Sequence, residues 1–190
     1  MDDGRAEPTR HKLDVDVLYR MADAGIFGED DRIELIDGEL IDMAPIGTDH
    51  AVTSNGLTRA LVLACGDLGI VSVANPLRID RFNEPQPDFV VFRPRADNYR
   101  TGERGGPADA LLVVEVADSS LRFDRKVKLP LYARAGIAEV WIADLRRRVL
   151  EAHRDPVEGA YATVQTYREG DRVSLALAPE IAVKLERVFD

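Results

Sequence analysis

The chain has 190 residues, 45% of them hydrophobic and 31% charged, with a formal net charge of -9 and one cysteine. That length suffices for one domain with a real core, and the composition excludes a disordered chain, a collagen and a disulfide scaffold. No apolar stretch reaches the ~20 residues that span a bilayer. With no secretory signal visible in Met1 to Arg10 and only Cys65 as a thiol, a cytoplasmic protein without a membrane partner is expected.

The acidity is uneven. Residues 1 to 50 hold 14 acids against 5 bases, which accounts for the whole of the -9, while residues 51 to 190 hold 20 of each. Two stretches could face an anion: Arg93 to Pro107, with four Arg against two acids, and Arg122 to Arg134, with five bases against Asp124 alone. The plainer alternatives are a solvated loop and a solvated helix face.

Along the chain, Leu13 to Ala24 carries Leu13, Val17, Leu18 and Met21 at helical spacing, and Gly25 can stop it. Arg32 to Ile36 and Glu39 to Met43 alternate around Asp37-Gly38 and predict a hairpin. Thr48 or Asp49 can cap a helix that runs to Cys65 on a stripe of Val52, Leu57, Ala60, Leu61 and Ala64, with Gly66 ending it. Short strands are expected at Ile70 to Val73, Leu77 to Asp80 and Asp88 to Phe92. A long loop, Arg93 to Pro107, separates these from Ala110 to Val116, an apolar run that predicts a strand buried on both faces. A helix from about Asp124 to Ala135, stopping at Gly136, and a strand at Glu139 to Ala143 follow. Val149 to His153, Ala160 to Tyr167 and Val173 to Leu177 read as antiparallel strands, with turns at Asp155-Pro156, Glu158-Gly159 and Glu169-Gly170. There is no internal repeat. A single domain over 1 to 190 is expected, with its core at about 32 to 144 and residues 1 to 12 flexible.

Phosphate loops, dinucleotide fingerprints, His-Glu-x-x-His and Gly-x-Ser-x-Gly are all missing. With only His11, His50 and His153, a metal here would be hard and oxygen-bound. The informative residues are acids where a core should be apolar. Glu115 interrupts Leu111-Leu-Val-Val-Glu-Val116, and a carboxylate there calls for a partner. Asp88 opens the preceding strand, so two carboxylates can meet at one sheet edge, which a cation or a shared proton must relieve. At 100° per residue, Lys128 falls inside the stripe of Leu131, Ala135 and Tyr132, whereas Lys126 points away. Pro130 sits awkwardly, fitting only a helix that begins late. A purely structural ion-pair cluster of Asp88, Glu115 and Lys128 is the competing reading.

In their order and spacing these residues resemble the PD-(D/E)XK nuclease superfamily, and within it the Uma-two family of restriction-endonuclease-like proteins. The matching stretches are Arg32 to Leu40, Pro45 to His50, Gln86-Pro-Asp88, Leu112 to Val116 and Lys128 to Asp144, together spanning roughly residues 13 to 155. The resemblance implies an α/β (α+β) fold with a restriction-endonuclease-like core. A central mixed sheet would be flanked by helices, with an N-terminal hairpin and a C-terminal antiparallel strand extension. It also implies a metal-dependent phosphodiesterase in which Asp88, Glu115 and the main-chain carbonyl of Val116 hold Mg²⁺ or Mn²⁺, with Lys128 orienting water or neutralising charge. The chain departs from the superfamily pattern at Ala117, where a lysine would stand, so that role passes to Lys128 on the helix. Glu39 and His50 match the family and are further site candidates. The implied partners are nucleic acid, DNA foremost, and a second copy of the chain in a homodimer. The alternatives are a degenerate nuclease fold that binds nucleic acid or protein without cleaving, and a Ser/Lys hydrolase using Ser119 or Ser120.

Overall fold

The computed structural model describes residues 9–28, 30–100 and 105–189. Its first half runs α1 (Val15–Asp23), β1 (Ile33–Ile36), β2 (Glu39–Asp42), α2 (Thr48–Cys65), β3 (Ile70–Val73), β4 (Phe89–Phe92) and β5 (Ala110–Ala117). A composite helix, α3, follows, made of α-helical Leu121–Phe123, a π turn at Asp124–Lys128 and α-helical Leu129–Arg134. The chain then forms β6 (Glu139–Asp144), β7 (Val149–Val157), β8 (Ala160–Tyr167), β9 (Arg172–Ser174) and β10 (Ala182–Lys184). Among the described residues no helix is long and apolar enough to cross a membrane.

Six strands form the central sheet in the order β3-β4-β5-β6-β7-β8, with β5 and β6 parallel and every other neighbour antiparallel. All eight residues of β5 and all six of β6 are buried, because both faces of the sheet are covered. One face packs Phe89, Val91, Leu112, Val114 and Trp141 against Leu57 and Leu61 of α2 and Val173 and Val183 of the β9–β10 ribbon. On the other, Val90, Val113, Val140 and Ile142 pack against Leu129, Tyr132 and Ile137. This is the mixed α/β architecture expected, with hairpin β1–β2 on the N-terminal side and β7 and β8 extending the sheet.

The local signals hold where the chemistry is local. Asp14 caps α1 by accepting from the Val17 amide at 2.8 Å and is held by Arg81. Asp37 and Gly38 turn the hairpin at φ 53° and 76°, the paired left-handed geometry of a two-residue turn. A Cβ on Gly38 would stand 2.6 Å from the Lys12 Cβ.

Five expectations need correction. Gly47, not Thr48 or Asp49, stands at the N-cap of α2 and makes no side-chain bond, and Val52 is 43% exposed while Thr53 is buried in its place. Leu77 to Asp80 forms no strand, only a single bridge between Asp80 and Asn83. The expected turn at Asp155-Pro156 lies inside β7, where Pro156 pairs with β8 beyond the last β6 partner, Arg154, so its missing N–H faces no neighbour. β9 is shorter than Val173 to Leu177 and pairs with β10 rather than with the sheet. Of the five bases at Arg122 to Arg134, two are spent inside the molecule, since Lys128 is buried and Arg125 binds Glu151 at 2.8 Å, while Arg122, Lys126 and Arg134 stay exposed.

The flexibility expected of residues 1 to 12 falls outside the described residues for 1 to 8. Beyond them, Arg10 pairs with Glu39 and Lys12 with Asp37. In the loop from Arg93, the Arg95 guanidinium reaches Asp97 at 2.6 Å and stacks 4.0 Å over Tyr99. Residues 101 to 104 of that loop also lie outside the described residues.

Candidate functional site

A small cleft of about 60 Å³ opens at the carboxyl end of β5. Glu34 enters it from β1, His50 from the first turn of α2, Asp88 from the step before β4, Glu115 from β5, and Asp124 and Lys128 from the π turn of α3. The antiparallel ladder pairs Phe89 with Val114, and continuing that register by one step sets Asp88 across from Glu115. Glu115 shares its side of the sheet with Val113 because side chains alternate along a strand.

Each acid is held by named donors. The Val116 amide donates to Asp88 Oδ2 at 2.7 Å, and His50 Nε2 sits 3.1 Å from Asp88 Oδ1. Lys128 Nζ donates to Glu34 Oε1 at 3.0 Å and lies 3.2 Å from the Glu115 carboxylate. The Tyr132 hydroxyl donates to Glu115 Oε1 at 2.6 Å, and the Ser120 hydroxyl to Asp124 Oδ2 at 2.7 Å. The Lys128 and Glu34 side chains are both 2% exposed. The expectation that Lys128 reaches from the helix to Glu115 is met, but through a different helix. Leu129 donates to the carbonyl of Asp124, five residues back, which widens the turn just before Pro130 and accommodates the proline that a regular α-helix from Leu121 would reject.

Five carboxylates, those of Glu34, Asp88, Glu115, Asp118 and Asp124, thus line the cleft with two full cations, the Lys128 ammonium beside Glu34 and Glu115 and the Arg32 guanidinium. Burial pushes Glu115 well above the usual carboxylate range; Lys128 opposes this, while Asp124, Asp88 and Glu34 add to it. Burial likewise raises Asp124 to about 6 against the pull of Lys128 and of the Ser120 hydrogen bond. For Lys128, burial alone would lower the ammonium, but Glu115, Glu34 and Asp124 outweigh it and hold the proton above the ordinary lysine value. Glu34 Oε2 is shut from solvent with no hydrogen-bond partner. An all-oxygen donor set with surplus negative charge and an orphaned carboxylate oxygen fits a hard divalent cation. Among the described residues no three His, Cys, Asp or Glu side chains already converge on a metal-sized point.

Of the residues expected from sequence, Asp88, Glu115, Val116, Lys128 and His50 all line this cleft. Glu39 does not. Its side chain is 60% exposed and faces Arg10, and the hairpin acid that reaches the cleft is Glu34, one strand away. Glu34, Asp124 and Tyr132 were not singled out by sequence. Tyr132 fell in the helical stripe as an apolar residue, and Asp124 as a helix-start acid. Ser119 and Ser120 line the cleft too, with the Ser120 hydroxyl donating to an acid rather than facing a base. A separate buried acid, Glu139, accepts from Trp141 Nε1 at 2.7 Å, Arg154 Nε at 2.8 Å and the Ala176 amide at 2.6 Å, tying the β9–β10 side to the sheet.

Residues 15–186 match the Uma2 family model, which is described as "Putative restriction endonuclease". The fold resembles a solved structure from Anabaena variabilis described as a "putative nuclease belonging to DUF820", with a TM-score of 0.65 and 13% identity over 89% of this chain and 96% of that one. No curated protein matches the chain. A family match over nearly the whole length, on a sheet whose β5 brings Glu115 to the cleft, makes this chain a member of the Uma2 restriction-endonuclease-like family.

Proposed function

We propose that the chain is a metal-dependent endonuclease that hydrolyses phosphodiester bonds of DNA, acting as a homodimer in the cytoplasm. The observation that supports this best is the excess of carboxylates over cations in one cleft, with Asp88 and Glu115 on adjacent strands. Asp88, Glu115 and the Val116 carbonyl are the residues to hold Mg²⁺ or Mn²⁺, and such an ion lowers the pKa of water and stabilises charge on a phosphate. The Val116 amide and His50 fix the Asp88 carboxylate, and Tyr132 fixes Glu115. Lys128 keeps its proton and places a compact positive charge beside Glu115, where a phosphate oxygen or water can use it.

The second reading is a binding module in the same fold. It is favoured by the full set of protein partners that Asp88 and Glu115 already have. Calorimetric titration with Mn²⁺ and Mg²⁺, followed by nicking of plasmid DNA in the same buffer, separates the two. Under the nuclease reading wild type binds the ion and nicks, and Asp88→Ala does neither. Wild type that binds no divalent ion and leaves the plasmid supercoiled would leave the binding module standing.

A further inference from the structure

A second cavity, of about 360 Å³, lies between α1 and the segment leading into β4. Leu18, Phe27 and Ile33 supply apolar wall, and Asp31, Glu84 and Gln86 bring polar side chains, the Asp31 carboxylate accepting from the Gly28 amide at 2.7 Å. Ile33 borders this cavity while its neighbour Glu34 borders the cleft, so β1 separates the two spaces. Gln86 borders both.

Glu84 is the unusual residue. It is 5% exposed, its backbone is fixed on both sides by Leu35, and its carboxylate makes no hydrogen bond or ion pair among the described residues. Its oxygens are not shut off from the cavity, unlike Glu34 Oε2. A buried carboxylate without a donor is costly, and the donors it lacks can come from a ligand. The ligand must be flat or apolar enough for the walls and must carry donors at one edge.

We propose that this cavity takes the guanine base of a nucleic-acid strand whose backbone lies at the cleft, a proposal that rests on the nuclease reading. Guanine presents N1–H and the 2-amino group side by side, two parallel donors for two carboxylate oxygens. Adenine and cytosine each set one amino donor beside a ring acceptor, and thymine sets one N–H between two carbonyls, so each would turn an acceptor toward Glu84. The cavity volume is in the range of small-molecule sites. Glu84 and Asp88 are four residues apart on a proline-containing stretch, ~12 Å at the rise of extended chain, so a strand held at Asp88 brings a nearby base within reach. The guanine edge used is the Watson–Crick edge, which is free only in a single strand or a flipped nucleotide.

The test uses the full chain and calorimetric titration with GMP, IMP, AMP and CMP. GMP binds, IMP, which lacks the 2-amino group, binds at least tenfold more weakly, and AMP and CMP show no saturation over the same range. Glu84→Gln weakens GMP at least tenfold, and so does Ala22→Trp, which fills the cavity from an exposed position on α1 and leaves the buried side chains in place. Asp88→Asn abolishes plasmid nicking and leaves GMP binding unchanged, so failure of the nuclease reading and failure of the base pocket appear in different assays. A single-stranded oligonucleotide containing one guanine displaces GMP, and its inosine counterpart does not. Four mononucleotides binding within threefold of one another overturn the proposal, as does GMP binding that neither variant weakens. An oligonucleotide that fails to compete overturns the assignment to a strand. Binding of agmatine in place of GMP, lost in Glu84→Gln, overturns it in favour of a pocket for cations.

Discussion

Replacing Asp124 by asparagine is the sharpest test of the electrostatics of the cleft. Asp124 is 2% exposed, and burial raises it from 3.8 to about 6 in the folded chain, with Asp88 and Glu34 pushing the same way. An acid whose folded value is raised contributes stability only while protonated. That contribution is complete below pH 3.8, shrinks as the pH rises, and is gone above about 6, where the ionised carboxylate sits among other acids at a cost. The difference between 3.8 and about 6 corresponds to about 3 kcal/mol. Asparagine keeps the acceptor for the Ser120 hydroxyl and cannot ionise. The variant is therefore expected to be more stable than wild type by about 3 kcal/mol at pH 8 and equal to it at pH 4, a rise in Tm of ~6 to 12 °C at the alkaline end for a chain of this size. Urea denaturation across pH 4 to 8 measures it directly. A wild-type minus variant difference that stays flat with pH, or that grows toward acid, would refute the reasoning.

Other substitutions probe the remaining structure. Lys128→Met removes the one ammonium from Glu34 and Glu115, so about 3 to 5 kcal/mol should be lost and differential scanning calorimetry at pH 7 should show a Tm lowered by ~6 to 20 °C; a loss under ~1 kcal/mol would count against a buried ionic cluster. Gly38→Ala forces a Cβ at φ 76° to within 2.6 Å of Lys12, and the urea midpoint should fall by an amount equivalent to about 1 to 3 kcal/mol. Glu139→Gln takes a charge from a site that holds Arg154, Trp141 and the Ala176 amide together, at a cost of about 2 to 4 kcal/mol. Trypsin should then cut sooner after Arg172 and Lys184 than in wild type, and unchanged cutting rates would show that Glu139 does not anchor the β9–β10 ribbon.

Legibility followed the range of the interaction. Asp37-Gly38 fixes its own turn, so the hairpin could be read from two residues, and the apolar run Ala110 to Val116, interrupted by one acid, announced both the middle of the sheet and Glu115. Asp88 and Lys128 were readable because each stands out within its own element. Glu34 was not, since its partner Lys128 is 94 residues away and period-two alternation says which side a residue takes, not whether that side is wet. Glu39 has the same parity ambiguity and lies on the open strand of the hairpin, where its side chain meets only Arg10. The strand at β9 was visible as a pattern, but its partner, β10, is a three-residue segment with no signal of its own. Pro130 marked a disturbance in the helix without saying how the backbone would absorb it.

The π turn is formally a single extra residue wound into α3, and it sets the phase between the two halves of the helix. Leu129 and Tyr132 are fixed by the sheet below them. Everything before the turn takes its direction from the added residue. A chain shorter by one residue between Asp124 and Lys128 could keep a regular helix and the same contacts at its carboxyl end, yet the segment from Ser120 to Asp124 would rotate by about 100°. Ser120 and Asp124 would leave the cleft, and Arg125 would leave Glu151. The acid cluster thus depends on a count of residues as much as on their identity, and a length change in this helix would be felt at the cleft before it was felt in the fold.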